Sequence, residues 1–143
     1  MEERRVWVFF YGLYMDFGVL GKHGVSPGRW EAASLAGYDF NVASWGYLAP
    51  SERGRAYGLN VSVTHDDLER LYGPSNTFLK LRYFPEPVLV ETAEGKFVPA
   101  LCYVAREPPE GPVNRDYVEA MIGLSKKYGF PAWYAERLAG FLA

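Results

Sequence analysis

Cysteine is nearly absent. Cys102 is the one thiol among 143 residues, so no disulfide closes within the chain, and this usage fits a reducing compartment, with the cytoplasm as the expected location. Histidine is almost as scarce. His23 and His65 lie far apart with no second His or Cys three or four residues away, so no metal cage is readable. Other missing patterns each remove a reaction class: there is no G-x-S-x-G elbow, no G-x-x-x-x-G-K-[ST] phosphate loop and no G-x-G-x-x-G opening a helix after a strand. No cofactor is expected. Charge of one sign is not concentrated either. Fifteen Lys and Arg face seventeen Asp and Glu, for a net charge of −2, and no basic block exceeds Arg4-Arg5 or Lys126-Lys127, so a nucleic-acid partner is not expected. No run approaches the ~20 apolar residues that span a bilayer. The apolar stretch from Val6 to Met15 follows both Glu2-Glu3 and Arg4-Arg5, is mostly aromatic and has no A-x-A-like exit, so it is not read as a leader or as a membrane element.

What is abundant is aromatic and apolar. Aromatic residues make up 17% and the apolar set 49%, punctuated by 15 Gly and 10 Pro, the texture of a compact domain rich in short strands. At this length roughly 68–70% of the unfolded surface can be buried, which points to one domain over residues 1–143. Val6 to Tyr11 is apolar at every position, as a strand covered on both faces would be. Strands are expected over Arg29–Ala36 and Tyr38–Val42, broken at Gly37, with Ala43–Gly54 as a loop. Arg55–Val63 alternates as a strand. Thr64 then caps a helix over His65–Tyr72, whose Asp66 and Asp67 suit the positive end of the dipole and which Gly73-Pro74 stops. Further strands are expected over Asn76–Tyr83, Pro87–Thr92 and Phe97–Ala105, the last two joined by the turn Ala93-Glu94-Gly95-Lys96. After Pro108-Pro109 the period changes to helical. Tyr117, Met121, Leu124 and Tyr128 share a stripe of a helix begun at Asn114, and Pro131 opens a second. Strands first and helices last argue an α+β domain. Exposed aromatics on the two last helices suit either a contact between two copies of the chain or the capping of the strands.

The local feature that stands out is Phe9-Phe10-Tyr11-Gly12-Leu13-Tyr14-Met15, a buried strand running into glycine. Amides of such a turn converge into a concavity that holds a carboxylate or phosphate; a glycine that merely lets the strand turn is the plainer alternative. Cys102, within Leu-Cys-Tyr-Val, reads as a small buried hydrophobe.

The tyrosine-glycine loop, the strand Arg55-Ala56-Tyr57-Gly58-Leu59-Asn60-Val61, the helix Asp66-Asp67-Leu68-Glu69-Arg70-Leu71-Tyr72 and the strand Ala100-Leu101-Cys102-Tyr103-Val104 resemble, in order and spacing, the γ-glutamylcyclotransferase-like (AIG2-like) superfamily over about residues 6–105. That resemblance implies a small mixed β-barrel with flanking helices around a cavity, here followed by a helical pair over about 114–142. It also implies an enzyme that releases 5-oxoproline from a γ-glutamyl amine or peptide. The family loop reads Tyr-Gly-Ser-Asn and then an apolar residue, and its amides hold the glutamyl group. Here Tyr11-Gly12-Leu13-Tyr14-Met15 keeps the tyrosine, the glycine and the final apolar residue but replaces the small polar pair. The family helix runs into Leu-Asp-x-x-Glu-Gly, whose glutamate takes the proton from the substrate's α-ammonium. Set on Leu71-Tyr72-Gly73-Pro74-Ser75-Asn76, this pattern puts Ser75 at the carboxylate, and a hydroxyl is too weak a base to replace it.

A relocated acid is sought first at Glu86, held between Pro85 and Pro87; Glu69, Glu91 and His65 are more simply solvated. Tyr103 is a candidate cavity wall. Two functions therefore stand open. One is a cyclotransferase-like enzyme with Tyr11 to Met15, Ser75 and Tyr103 at the substrate and Glu86 as acid and base. The other is a catalytically inactive relative that binds a small carboxylate ligand or a protein partner, and the missing acid tips the balance toward it.

Overall fold

A strand that is apolar at every position needs cover on both faces. The first strand has it only in its second half: in β1 (Arg5–Phe10), Val8, Phe9 and Phe10 are at most 1% exposed, while Trp7 stays 38% exposed. The computed structural model describes residues 4–74, 76 and 81–143. Four more strands follow, β2 (Trp30–Val42), β3 (Gly46–Thr64), β4 (Tyr83–Thr92) and β5 (Phe97–Ala105), with a 3-10 turn over Leu13–Met15 and helices α1 (Phe17–Lys22), α2 (His65–Tyr72), α3 (Arg115–Lys127) and α4 (Ala132–Gly140). The strands close into a barrel in the order β1-β3-β2-β4-β5. Closure comes from a parallel contact of β1 with β5, Val8 opposite Leu101, while the other seams are antiparallel. This is the mixed α+β barrel with flanking helices that the sequence leads one to expect.

Three strand readings change. Arg29–Ala36 and Tyr38–Val42 form one strand, β2, because Gly37 takes a φ of +92° and is absorbed as a bulge. Such a φ carries no steric penalty in a residue without Cβ. The loop expected over Ala43–Gly54 is mostly strand: Gly46 to Pro50 pairs with Val42 to Tyr38, and only the segment between Pro50 and Arg55 has no opposite number on β2. The long hairpin thus resumes its register beyond a local excursion. The strand expected over Asn76–Tyr83 is not formed at Asn76, Leu81 or Arg82, and the rest of it before Tyr83 lies outside the described residues. Instead β4 begins at Tyr83 and runs through Pro85 and Pro87. It pairs with β5 along its length but with β2 only at Glu91 and Thr92. Both prolines therefore sit where the strand has no paired neighbour on one side among the described residues, the place where a missing N–H costs least.

The helix signals hold. Thr64 Oγ1 accepts from the Asp67 amide at 3.0 Å while Asp67 Oδ2 accepts from the Thr64 amide at 2.9 Å, a reciprocal capping box. Asn114 Oδ1 likewise accepts from the Tyr117 amide at 3.1 Å to start α3, which buries Tyr117, Val118, Met121 and Leu124. α4 adds Tyr134 and Leu138 to the same core. Because both members of the α2 box are buried, Thr64→Ala should lower stability by about 1 kcal/mol, seen as a lower urea midpoint with an unchanged slope.

Candidate functional site

Everything near the first turn hangs from the end of β1. The Tyr11 hydroxyl donates to the Tyr103 carbonyl of β5 at 2.5 Å, which fixes the last residue before the turn against the neighbouring strand. Gly12 then leads into the 3-10 turn, where the Met15 amide donates to the Gly12 carbonyl at 3.0 Å and the Asp16 amide to the Leu13 carbonyl at 2.9 Å. From inside that turn the Tyr14 hydroxyl donates to the Leu71 carbonyl at 2.6 Å. The same carbonyl accepts from Asn76 Nδ2 at 2.7 Å, and that nitrogen also reaches the Arg70 carbonyl at 3.0 Å. The open C-terminal carbonyls of α2 are satisfied in this way, and the turn is tied to the helix.

Between them lies a small pocket, about 30 Å³ inside, lined by Tyr11, Gly12, Leu13, Tyr14, Tyr72 and Tyr83 together with Phe10, Trp45, Gly46 and Tyr117. That is room for roughly two waters. Tyr117 reaches it from α3. A Cβ on Gly12 would lie 2.9 Å from its hydroxyl; burial pushes its pKa far up, and backbone hydrogen bonds from Gly46 and Leu13 pull only partly the other way. Met15 is fully buried and its amide is spent within the turn. The Gly12 amide has no hydrogen-bond partner among the described residues.

Among the described residues, none that lines the pocket is a carboxylate, a histidine or a thiol. The phenols are all held neutral at ordinary pH. Burial raises the pKa of Tyr11, Tyr14, Tyr72 and Tyr83, and a hydrogen bond from Trp45 pulls only partly the other way on Tyr83. A neutral phenol donates a hydrogen bond well and accepts a proton poorly.

Of the residues singled out in the sequence, Tyr11, Gly12, Leu13 and Tyr14 come together; Met15, Tyr103 and Glu86 do not line the pocket. Tyr103 stacks on Tyr72 from outside, ring centroids 3.8 Å apart and planes 3° off parallel. Glu86 lies exposed on β4 opposite Cys102, accepts from the Tyr38 hydroxyl at 3.3 Å, and lines another depression with Tyr38, Leu48 and Arg106. Cys102 is buried, its thiol pushed up to about 12 by burial and then by Glu86. Ser75 lies outside the described residues. What sequence reasoning missed is Tyr72. The family pattern Leu-Asp-x-x-Glu-Gly also fits three residues earlier, on Leu68-Glu69-Arg70-Leu71-Tyr72-Gly73, with an acid kept at the second place and tyrosine at the glutamate. That register puts the key position on the last turn of α2, at the pocket wall. Trp45, Tyr83 and Tyr117 carried no motif and meet only through the fold.

The barrel, the turn after β1 and the helix facing it together define the γ-glutamylcyclotransferase-like fold. Among solved structures the chain is similar to one described as a gamma-glutamyl cyclotransferase, with a TM-score of 0.79 and 17% identity over 95% of this chain and 87% of that one. It is also similar to an uncharacterized human protein, at 0.77 and 18% over 96% and 88%, and to the yeast gamma-glutamyl cyclotransferase specific to glutathione, at 0.67 and 10% over 98% and 96%. No family model matches the sequence, and no curated protein matches it. The likeness is one of fold.

Two outcomes test this geometry. Tyr117 Oη is the one atom that a Cβ on Gly12 would meet, so Gly12→Ala should destabilise the chain by about 1 kcal/mol and markedly less when combined with Tyr117→Phe, a coupling read from a double-mutant cycle. The buried phenols have folded pKa values above the unfolded value, so the unfolded chain loses protons first as pH rises. The stability they contribute is complete below about pH 10 and falls above it. Absorbance at 295 nm should show these tyrosines ionising together with loss of near-ultraviolet circular dichroism; ionisation in the folded state would contradict the burial.

Proposed function

We propose that the chain is a non-catalytic relative of the cyclotransferases that binds a small carboxylate-bearing ligand at the turn after β1. The observation that carries this reading is a pocket whose wall, among the described residues, offers main-chain and phenolic donors and no base. Closing a γ-glutamyl group to 5-oxoproline requires the α-amine to lose a proton before it attacks the γ-carbonyl, and a positioned base contributes typically 10²–10⁴-fold. Tyr72, at the register of the family glutamate, is held protonated by burial and supplies a donor instead. The open Gly12 amide, the Leu13 amide shared with Tyr117, and the Tyr72 hydroxyl then make a donor set suited to a carboxylate. With room for about two waters, the pocket takes the carboxylate itself, and the rest of the ligand extends from its mouth.

Incubation of the protein with γ-glutamyl amines, γ-glutamyl dipeptides and glutathione should release no 5-oxoproline above the uncatalysed level. Titration calorimetry with the same compounds should show binding that Tyr72→Phe weakens by about 3–10-fold, the loss of one hydrogen bond. Turnover abolished by Tyr72→Phe or by Glu86→Gln would replace this reading with the enzymatic one. Absence of both turnover and binding would leave the fold without this ligand class.

A further inference from the structure

A second concavity shares no lining residue with the first pocket. It is a groove of about 420 Å³ on the outside of the barrel, within the size range of small-molecule sites. Its floor is one rung across three strands: Tyr57 of β3 faces Ser34 of β2, which faces Glu91 of β4. Arg55, two residues before Tyr57, points to the same side by the alternation of the strand. Arg55 Nη1 donates to Ser34 Oγ at 2.7 Å and to Glu91 Oε1 at 3.2 Å. One nitrogen of the guanidinium is thereby committed. Nη2 and Nε keep their hydrogens without a partner among the described residues.

The walls are rings from the α3–α4 connection. Gly129 turns the chain at a φ of +71°, the Phe130 amide anchors on the Ser125 carbonyl at 3.0 Å, and Phe130 packs on Tyr57 with ring centroids 5.6 Å apart. Tyr128 completes the aromatic side. Trp133, edge-on to Tyr57 at 5.7 Å, stays 45% exposed at the margin.

We propose that this groove binds a planar aromatic monocarboxylate, its ring laid against the aromatic side formed by Tyr57, Tyr128 and Phe130 and its carboxylate bidentate on the Nη2 and Nε edge of Arg55. The chemistry selects that class. A guanidinium held on one side is preorganised for a two-point acceptor on the other, and the apolar walls reward a flat ring. Glu91 cancels the net charge of Arg55, so recognition rests on hydrogen-bond alignment rather than attraction at a distance. A doubly charged group such as a phosphate monoester gains no net attraction from this neutralised pair and loses more hydration on entering the groove, so it is disfavoured.

The test uses ligand-observed saturation-transfer NMR on the full chain with benzoate, benzyl alcohol and phenyl phosphate. Benzoate should bind more tightly than either comparator, and Arg55→Gln should weaken it about tenfold, the loss of a charge-assisted pair. Tyr72→Phe should leave it unchanged, which separates this site from the pocket at the first turn. No benzoate binding up to about 10 mM, undiminished binding by Arg55→Gln, or tighter binding of phenyl phosphate or benzyl alcohol would each overturn the proposal.

Discussion

The double pairing of β1 is the constraint on which the rest of the structure depends. Held antiparallel to β3 on one side and parallel to β5 on the other, the strand is the seam that turns a sheet into a barrel, and it leaves its last residue no freedom. Tyr11 is locked to β5 by its own hydroxyl. The chain must then reverse at the barrel mouth under Tyr117, and the donors of the 3-10 turn take their directions from that reversal. Tyr14 carries the constraint onward to the end of α2. A shift of β1 by one residue would exchange its faces and dismantle the turn, the helix contact and the pocket together.

The mouth of the barrel is lined with phenols, and this choice has electrostatic meaning. A carboxylate buried among rings needs a compensating charge or rises in pKa until it is neutral. Tyrosine avoids that conflict. Its ring fills volume and its hydroxyl finds a carbonyl, as Tyr11 and Tyr14 do. The result, among the described residues, is a polar lining without formal charge.

Much of this was legible in the sequence where the signal is local. The Thr64 and Asn114 caps, the Ala93 to Lys96 turn and the Pro131 start each depend on a few adjacent residues, and each helix or hairpin stands where they place it. Signals failed where partners are distant. Gly37 and Pro50 read as breaks because nothing nearby shows that a long antiparallel partner carries the strand past them. Pro85 and Pro87 read as a strand boundary because the absence of a neighbour on one side of β4 is a property of the barrel. The turn after β1 could be singled out because its residues are contiguous. Its surroundings could not, since Trp45, Tyr83 and Tyr117 come from three separate stretches of chain. Tyr72 escaped for a different reason: a six-residue pattern with two free places fits this helix end in two registers, and the pattern alone does not choose between them.

The prolines of β4 have a further consequence for the protein in solution. An uncovered strand flank normally displays a ladder of amides and carbonyls on which a passing chain can grow. Along this flank Pro85 and Pro87 erase two donors in close succession, and the exposed Glu86 between them adds charge. This flank of β4 is thus chemically blunted and makes a poor template for edge-to-edge aggregation.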